Sequence, residues 1–101
     1  MKDNLRVACL QLTSGSDIYK NLKQTKELSN KAIDKGASFI LTPEVTNIIS
    51  LDRQKLKRSV FLEKDDPFLA EFTRIAKIKS VWILLGSIVI KDNESKLYNR
   101  S

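Results

Sequence analysis

Histidine is absent from this chain. That removes the commonest general base, the commonest metal ligand and every Ser–His or Cys–His dyad. Cysteine occurs once, as Cys9, so no internal disulfide and no cysteine-built metal site can form. Whatever chemistry the chain carries must therefore use carboxylates, lysines or hydroxyls, and no cofactor or metal is expected. No apolar run approaches the roughly 18 residues that span a bilayer, so no membrane partner is expected either. Met1-Lys2-Asp3-Asn4 leads into only a short apolar stretch. No secretory signal is visible, and the expected location is cytoplasmic. Neither a Gly-x-Gly-x-x-Gly nor a Walker sequence follows the first apolar run, which excludes the familiar nucleotide cradles.

What the chain does have is 101 residues, enough for one domain with a modest core. Its net charge is +6. The densest basic group, Arg53, Lys55, Lys57 and Arg58, lacks interleaved aromatics and a recognition motif. Solvated helix faces explain that charge better than a nucleic-acid partner.

Leu5–Leu12 reads as a first buried strand, with Cys9 a small buried hydrophobe rather than a nucleophile. Thr13-Ser14-Gly15-Ser16 is turn chemistry, and Ser16 or Asp17 can cap the helix that follows. Ile18, Leu22, Leu28, Ala32 and Ile33 recur at near-helical spacing, Thr25 fills the gap, and Gly36 ends the helix. A second strand over Ser38–Thr42 completes a βαβ unit, which predicts parallel pairing. Val45–Ser50 has no clean period and reads as a packed loop. Asp52 opens a short basic helix to about Val60. Asp66 and Pro67 then suit the cap and first position of a helix to about Lys79, with Phe68, Leu69, Phe72, Ile75 and Ala76 inward. Val81–Ile90 is the most apolar segment, and Gly86 within it marks a close backbone approach. A polar turn over 91–95 leads to an antiparallel strand over 96–101. This last strand ends without cap or turn and reads as cut, or else as a short native edge strand.

The stretch Ser38-Phe39-Ile40-Leu41-Thr42-Pro43-Glu44 organises the rest. Pro43 stops the strand, because it has no N–H for the ladder and holds Thr42 extended. Glu44 then stands just past the carboxyl end, where open α/β sheets place their ligands. A partly desolvated acid there is suited to accept a proton near neutral pH. The plainer alternative is that Glu44 caps a turn or faces water.

Five pieces in order carry a resemblance: Ala8-Cys9-Leu10-Gln11-Leu12, Asn21-Leu22, Gly36-Ala37-Ser38 leading to Pro43-Glu44, Leu85-Gly86-Ser87-Ile88, and Leu97-Tyr98-Asn99-Arg100-Ser101. Together they resemble the opening of the nitrilase (carbon–nitrogen hydrolase) superfamily. Pro43-Glu44-Val45-Thr46-Asn47-Ile48 is most similar to its Nit-type amidases, which act on deaminated glutathione and similar ω-amides. Thr42 stands where leucine or phenylalanine is more typical. The resemblance implies an α/β fold, the amino-terminal part of an αββα sandwich, assembled as a homo-oligomer or with a complementing fragment. It implies a Glu-Lys-Cys mechanism on a small-molecule amide, with Glu44 as the general base. The lysine and nucleophilic cysteine would lie beyond Ser101. Residues 1–101 would then form a partial domain, inert alone or one half of a split enzyme. A small basic α/β interaction module without catalysis is the alternative from another class.

Overall fold

Three short apolar runs separated by two amphipathic stretches build the first layer. The structure, a computed structural model, describes residues 5–12, 14–94 and 96–101. The amino-terminal tetrapeptide, Thr13 and Ser95, on which parts of the signal and turn expectations rest, lie outside the described residues. Strand β1 (Val7–Cys9) pairs parallel with β2 (Phe39–Leu41), as the βαβ reading requires. Helix α1 (Ile18–Asp34) connects them, and β3 (Trp82–Leu84) adds to β2, again parallel, giving the order β1-β2-β3. Between β2 and β3 lie α2 (Arg53–Ser59), a 3-10 turn at Glu63–Asp65 and α3 (Pro67–Lys79). Strands β4 (Ile88–Lys91) and β5 (Leu97–Arg100) form a separate antiparallel pair.

Each helix begins where local chemistry says it should. Asp17 accepts from the N–H groups of Tyr19 and Lys20 at 3.0 and 3.2 Å, so the cap is Asp17 and not Ser16. Asp52 caps α2 in the same way, and Asp66 accepts from Leu69 N–H at 3.0 Å with Pro67 next to it. Gly36, at φ +94°, closes α1 with a left-handed backbone that a side chain would strain.

Helices α1 and α3 lie together, joined at the surface by Lys26 and Glu71 at 3.2 Å. Beneath them sits the core of Ile18, Ile48, Val60, Phe68, Phe72, Ile75, Ile88 and Ile90, with Ile83 of β3 packed against it. The buried positions of α1 itself are Ile18, Asn21, Thr25 and Ser29, so its innermost line is more polar than the apolar spacing suggests. No helix among the described residues is long and apolar enough to cross a membrane.

The expectation of a buried first strand fails for a physical reason. β1 is three paired residues rather than a buried run over Leu5–Leu12, and Leu5, Val7 and Cys9 are exposed. The apolar segment Val81–Ile90 breaks around Gly86 into β3, whose Trp82 and Leu84 are exposed, and β4, whose Ile88 and Ile90 are buried. The helices cover only one face of the β1-β2-β3 sheet, and no layer covers the other among the described residues. An apolar strand reads the same whether one face or both are covered. The molecule is accordingly a slab, 52 × 24 × 17 Å, with a radius of gyration of 14.2 Å. A compact chain of this length measures about 13 Å.

Candidate active site

The carboxyl end of β2 is where the chain's polar side chains converge. The ladder runs one residue past the strand, with Thr42 N–H donating to Leu84 C=O at 3.1 Å. Pro43 then ends the pairing, and Glu44 and Val45 form the turn. Glu44 is exposed, so the partial desolvation expected of it is not found. It takes no hydrogen bond or ion pair among the described residues.

The turn that presents Glu44 is held far more firmly than the carboxylate itself. Val45 has φ +53°, a left-handed conformation unusual for a β-branched residue. Its N–H donates to Ser87 Oγ at 2.8 Å, and Thr46 N–H donates to Ser87 C=O at 2.9 Å. Buried Thr46 bonds through its hydroxyl to Pro43 C=O and shares a hydrogen bond with Thr42 Oγ1 at 2.9 Å. Thr42 Oγ1 also accepts from Gly86 N–H at 3.1 Å. A Cβ on Gly86 would fall 2.4 Å from Thr42 O and 2.5 Å from Pro43, so only glycine lets these two backbones meet. The close approach expected at Gly86 is this one.

A second buried residue extends the clamp. Asn47 Nδ2 donates to Val89 C=O and Asn47 Oδ1 accepts from Val89 N–H, both at 2.8 Å, so its amide pairs with β4 as a neighbouring strand would. Asn21 of α1 donates to Asn47 C=O at 2.9 Å and to Gly15 C=O at 2.8 Å, while its Oδ1 accepts from Gly15 N–H at 3.0 Å. Ser14 Oγ donates to Thr46 C=O at 2.8 Å. The Glu44 turn is thus tied to the β1–α1 loop, to α1 and to β4.

The chain's one thiol does not join it. Cys9 sits at the end of β1, in register with Leu41, and is exposed. It is no buried hydrophobe, but no hydrogen bond brings it or any lysine to Glu44 among the described residues, as a nucleophile–base pair requires. The grooves along α1, lined by Asp17, Lys20, Gln24 and Glu27 among others, do not include Glu44. The clamp residues Thr42, Thr46, Asn47 and Ser87 were not picked out by sequence reasoning as parts of a site. The available signal was a set of polar residues inside otherwise apolar stretches.

A strand-end glutamate on a turn clamped this way can be set against what known proteins share with the chain. The sequence profile described as carbon-nitrogen hydrolase matches residues 6–101. The chain belongs to the carbon–nitrogen hydrolase family. The Drosophila melanogaster nitrilase and fragile histidine triad fusion protein NitFhit is 32% identical over 94 residues, covering 92% of this chain and 20% of that protein. The deaminated glutathione amidase of Yersinia enterocolitica is 29% identical over 92 residues, covering 91% of this chain and 32% of that one. Among solved structures, Saccharomyces cerevisiae Nit3, a member of branch 10 of the nitrilase superfamily, shares the fold with a TM-score of 0.69 at 22% identity. The match covers 94% of this chain and 37% of Nit3. This carbon–nitrogen hydrolase chain therefore spans a third or less of the length of these curated relatives, and its α/β fold is partial relative to Nit3. Membership sets aside the alternative of an interaction module unrelated to hydrolases.

Proposed function

We propose that this chain supplies the general base, Glu44, of a carbon–nitrogen hydrolase that cleaves a small, non-peptide amide of the ω-amide or deaminated-glutathione type in the cytoplasm. The observation that carries this is the clamped turn. An exposed carboxylate with no hydrogen-bond or ionic partner among the described residues stands at the mouth of a sheet on a backbone held by Ser87, Thr46 and Gly86. A base must be free to take a proton yet fixed in position, and this arrangement supports both. The amide class is supported by the name of the Yersinia relative.

In the proposed reaction a cysteine thiol gives its proton to Glu44 as the sulfur attacks the amide carbon. The tetrahedral oxyanion is steadied by a lysine, and Glu44 hands the proton on to the amide nitrogen as the carbon–nitrogen bond breaks, which expels ammonia or an amine and leaves a thioester. Glu44, again a carboxylate, takes a proton from water as that water attacks the thioester carbon, and gives it to the sulfur as the carbon–sulfur bond breaks and the acid leaves. The lysine and cysteine come from polypeptide outside these 101 residues, either further sequence or a second chain. Alone, the chain has no amidase activity, because loss of the nucleophile from such a set removes most of the acceleration. Ammonia release from deaminated glutathione by the purified chain tests this. No release above the blank is expected; release that vanishes in Glu44→Gln would show that the set is complete within the chain.

A further inference from the structure

Two consecutive N–H groups just after Glu44 end on one residue. Val45 N–H donates to the Ser87 hydroxyl at 2.8 Å, and Thr46 N–H to the Ser87 carbonyl at 2.9 Å. Ser87 lies in the corner between β3 and β4, 42 residues along the chain from Val45. It is buried, so it acts on Glu44 only through the backbone of the turn.

That backbone is in a conformation its own residue does not favour. Val45 stands at φ +53°, in a turn position that glycine or asparagine would fill without strain. Strain of this kind persists only where the surroundings over-determine it, and it gathers at functional sites. The Thr46 hydroxyl and N–H hold the far side of the turn. The Ser87 hydroxyl alone holds the N–H of Val45 itself, and with it the peptide that joins Val45 to Glu44. Relaxation of Val45 to negative φ would rotate this peptide away from Ser87 and shift the residue that carries the carboxylate. We propose that Ser87 is a positioning residue for Glu44: its hydroxyl oxygen keeps Val45 left-handed and so sets the direction in which the carboxylate leaves the rim. This rests on the reading of Glu44 as the base. A base displaced by about 1 Å loses on the order of 100-fold in rate.

The test has two arms. In the full chain, nuclear magnetic resonance reads the strong Overhauser effect between the N–H and Hα protons of Val45 that a positive φ gives. It is expected in the wild type and lost in Ser87→Ala, with an unchanged far-ultraviolet spectrum, because the backbone carbonyl at position 87 still accepts from Thr46. In the second arm, residues 6–101 are joined to the unmatched part of the Yersinia amidase to make a complete enzyme. Ser87→Ala should lower its kcat on deaminated glutathione by about 100-fold and move KM by less than about threefold. Val45→Gly, free to take either sign of φ, should melt higher yet turn over at least about fivefold more slowly, a pairing that a purely structural role does not give. The two changes together should cost no more than Ser87→Ala alone, since both act through one peptide. Ile75→Val, in the core under α3, should lower Tm and leave kcat as it is. The proposal is overturned if Val45 keeps its positive φ in Ser87→Ala. It is also overturned if Ser87→Ala stays within about threefold of its parent in kcat while Glu44→Gln is inactive. A Glu44→Gln form as active as its parent overturns the reading of Glu44 as the base, and this proposal with it.

Discussion

Asn47 substitutes for a piece of strand, and its value can be measured. Asn47→Ala leaves Val89 N–H and C=O unpaired beside a buried site, which costs about 2–3 kcal/mol. In a domain of this size that lowers Tm by roughly 10–20 °C in a circular dichroism melt. Gly86→Ala drives a methyl group into the Thr42–Pro43 backbone and should cost at least as much as ordinary overpacking, about 1–3 kcal/mol. Val45→Gly acts the other way: it relieves left-handed strain of about 1–3 kcal/mol against a glycine entropy cost of roughly 0.5–1 kcal/mol, so the variant melts higher. Glu44→Gln should leave Tm within the scatter of surface substitutions, roughly ±0.5 kcal/mol, since nothing described bonds to it. At this scale Glu44 was legible because proline stops a strand by local chemistry. Thr46 and Asn47 were not, because their meaning depends on Ser87 and Val89, some forty residues away in sequence. A polar residue in a loop does not announce such a partner.

Helix ends could be read from the sequence because each rests on a few neighbouring residues, as at Asp17, Asp52, Asp66 and Gly36. The inner line of α1 could not, because Asn21 and Thr25 are buried by what packs on them and by their own bonds, Thr25 Oγ1 donating to Asn21 C=O at 2.7 Å. The cap of α3 carries a pH signature. Burial raises the Asp66 carboxyl above its usual value of 3.8, although N–H groups of Leu69 and Phe68 pull it down. The folded chain then holds this proton more tightly than the unfolded one, so the Asp66 contribution to stability falls as pH rises from 3.8 through the raised value. Asp66→Asn keeps a cap acceptor and removes that loss. Urea midpoints for variant and wild type should separate in the variant's favour as pH climbs through this window; a pH-independent gap would contradict it. Glu71 has the opposite sign. The Arg74 hydrogen bond, with Lys26 adding to it, lowers its carboxyl below 4.5, so its contribution is present above that value and is lost as pH falls through the lowered one. Glu71→Gln should therefore cost most at neutral pH and progressively less in acid.

For the whole molecule, the α/β class and the βαβ start were plain in the sequence, and the single covered face of the sheet was not. Which layers are present is a property of the assembled protein rather than of any one strand. The slab shape, the bare face and the share of Nit3 that the chain matches, 37%, all describe a part of the carbon–nitrogen hydrolase fold, with Glu44, the proposed base, on its rim. A chimera tests that group most directly. Residues 6–101 of this chain replace the matched segment of the Yersinia amidase, and deaminated-glutathione hydrolysis is compared between Glu44 and Glu44→Gln forms of equal Tm. The Glu44 chimera should turn over substrate, and the glutamine form should lose at least 1,000-fold in kcat, on the order of 4 kcal/mol of transition-state stabilisation. A glutamine chimera within tenfold of its parent would show that Glu44 is not the base.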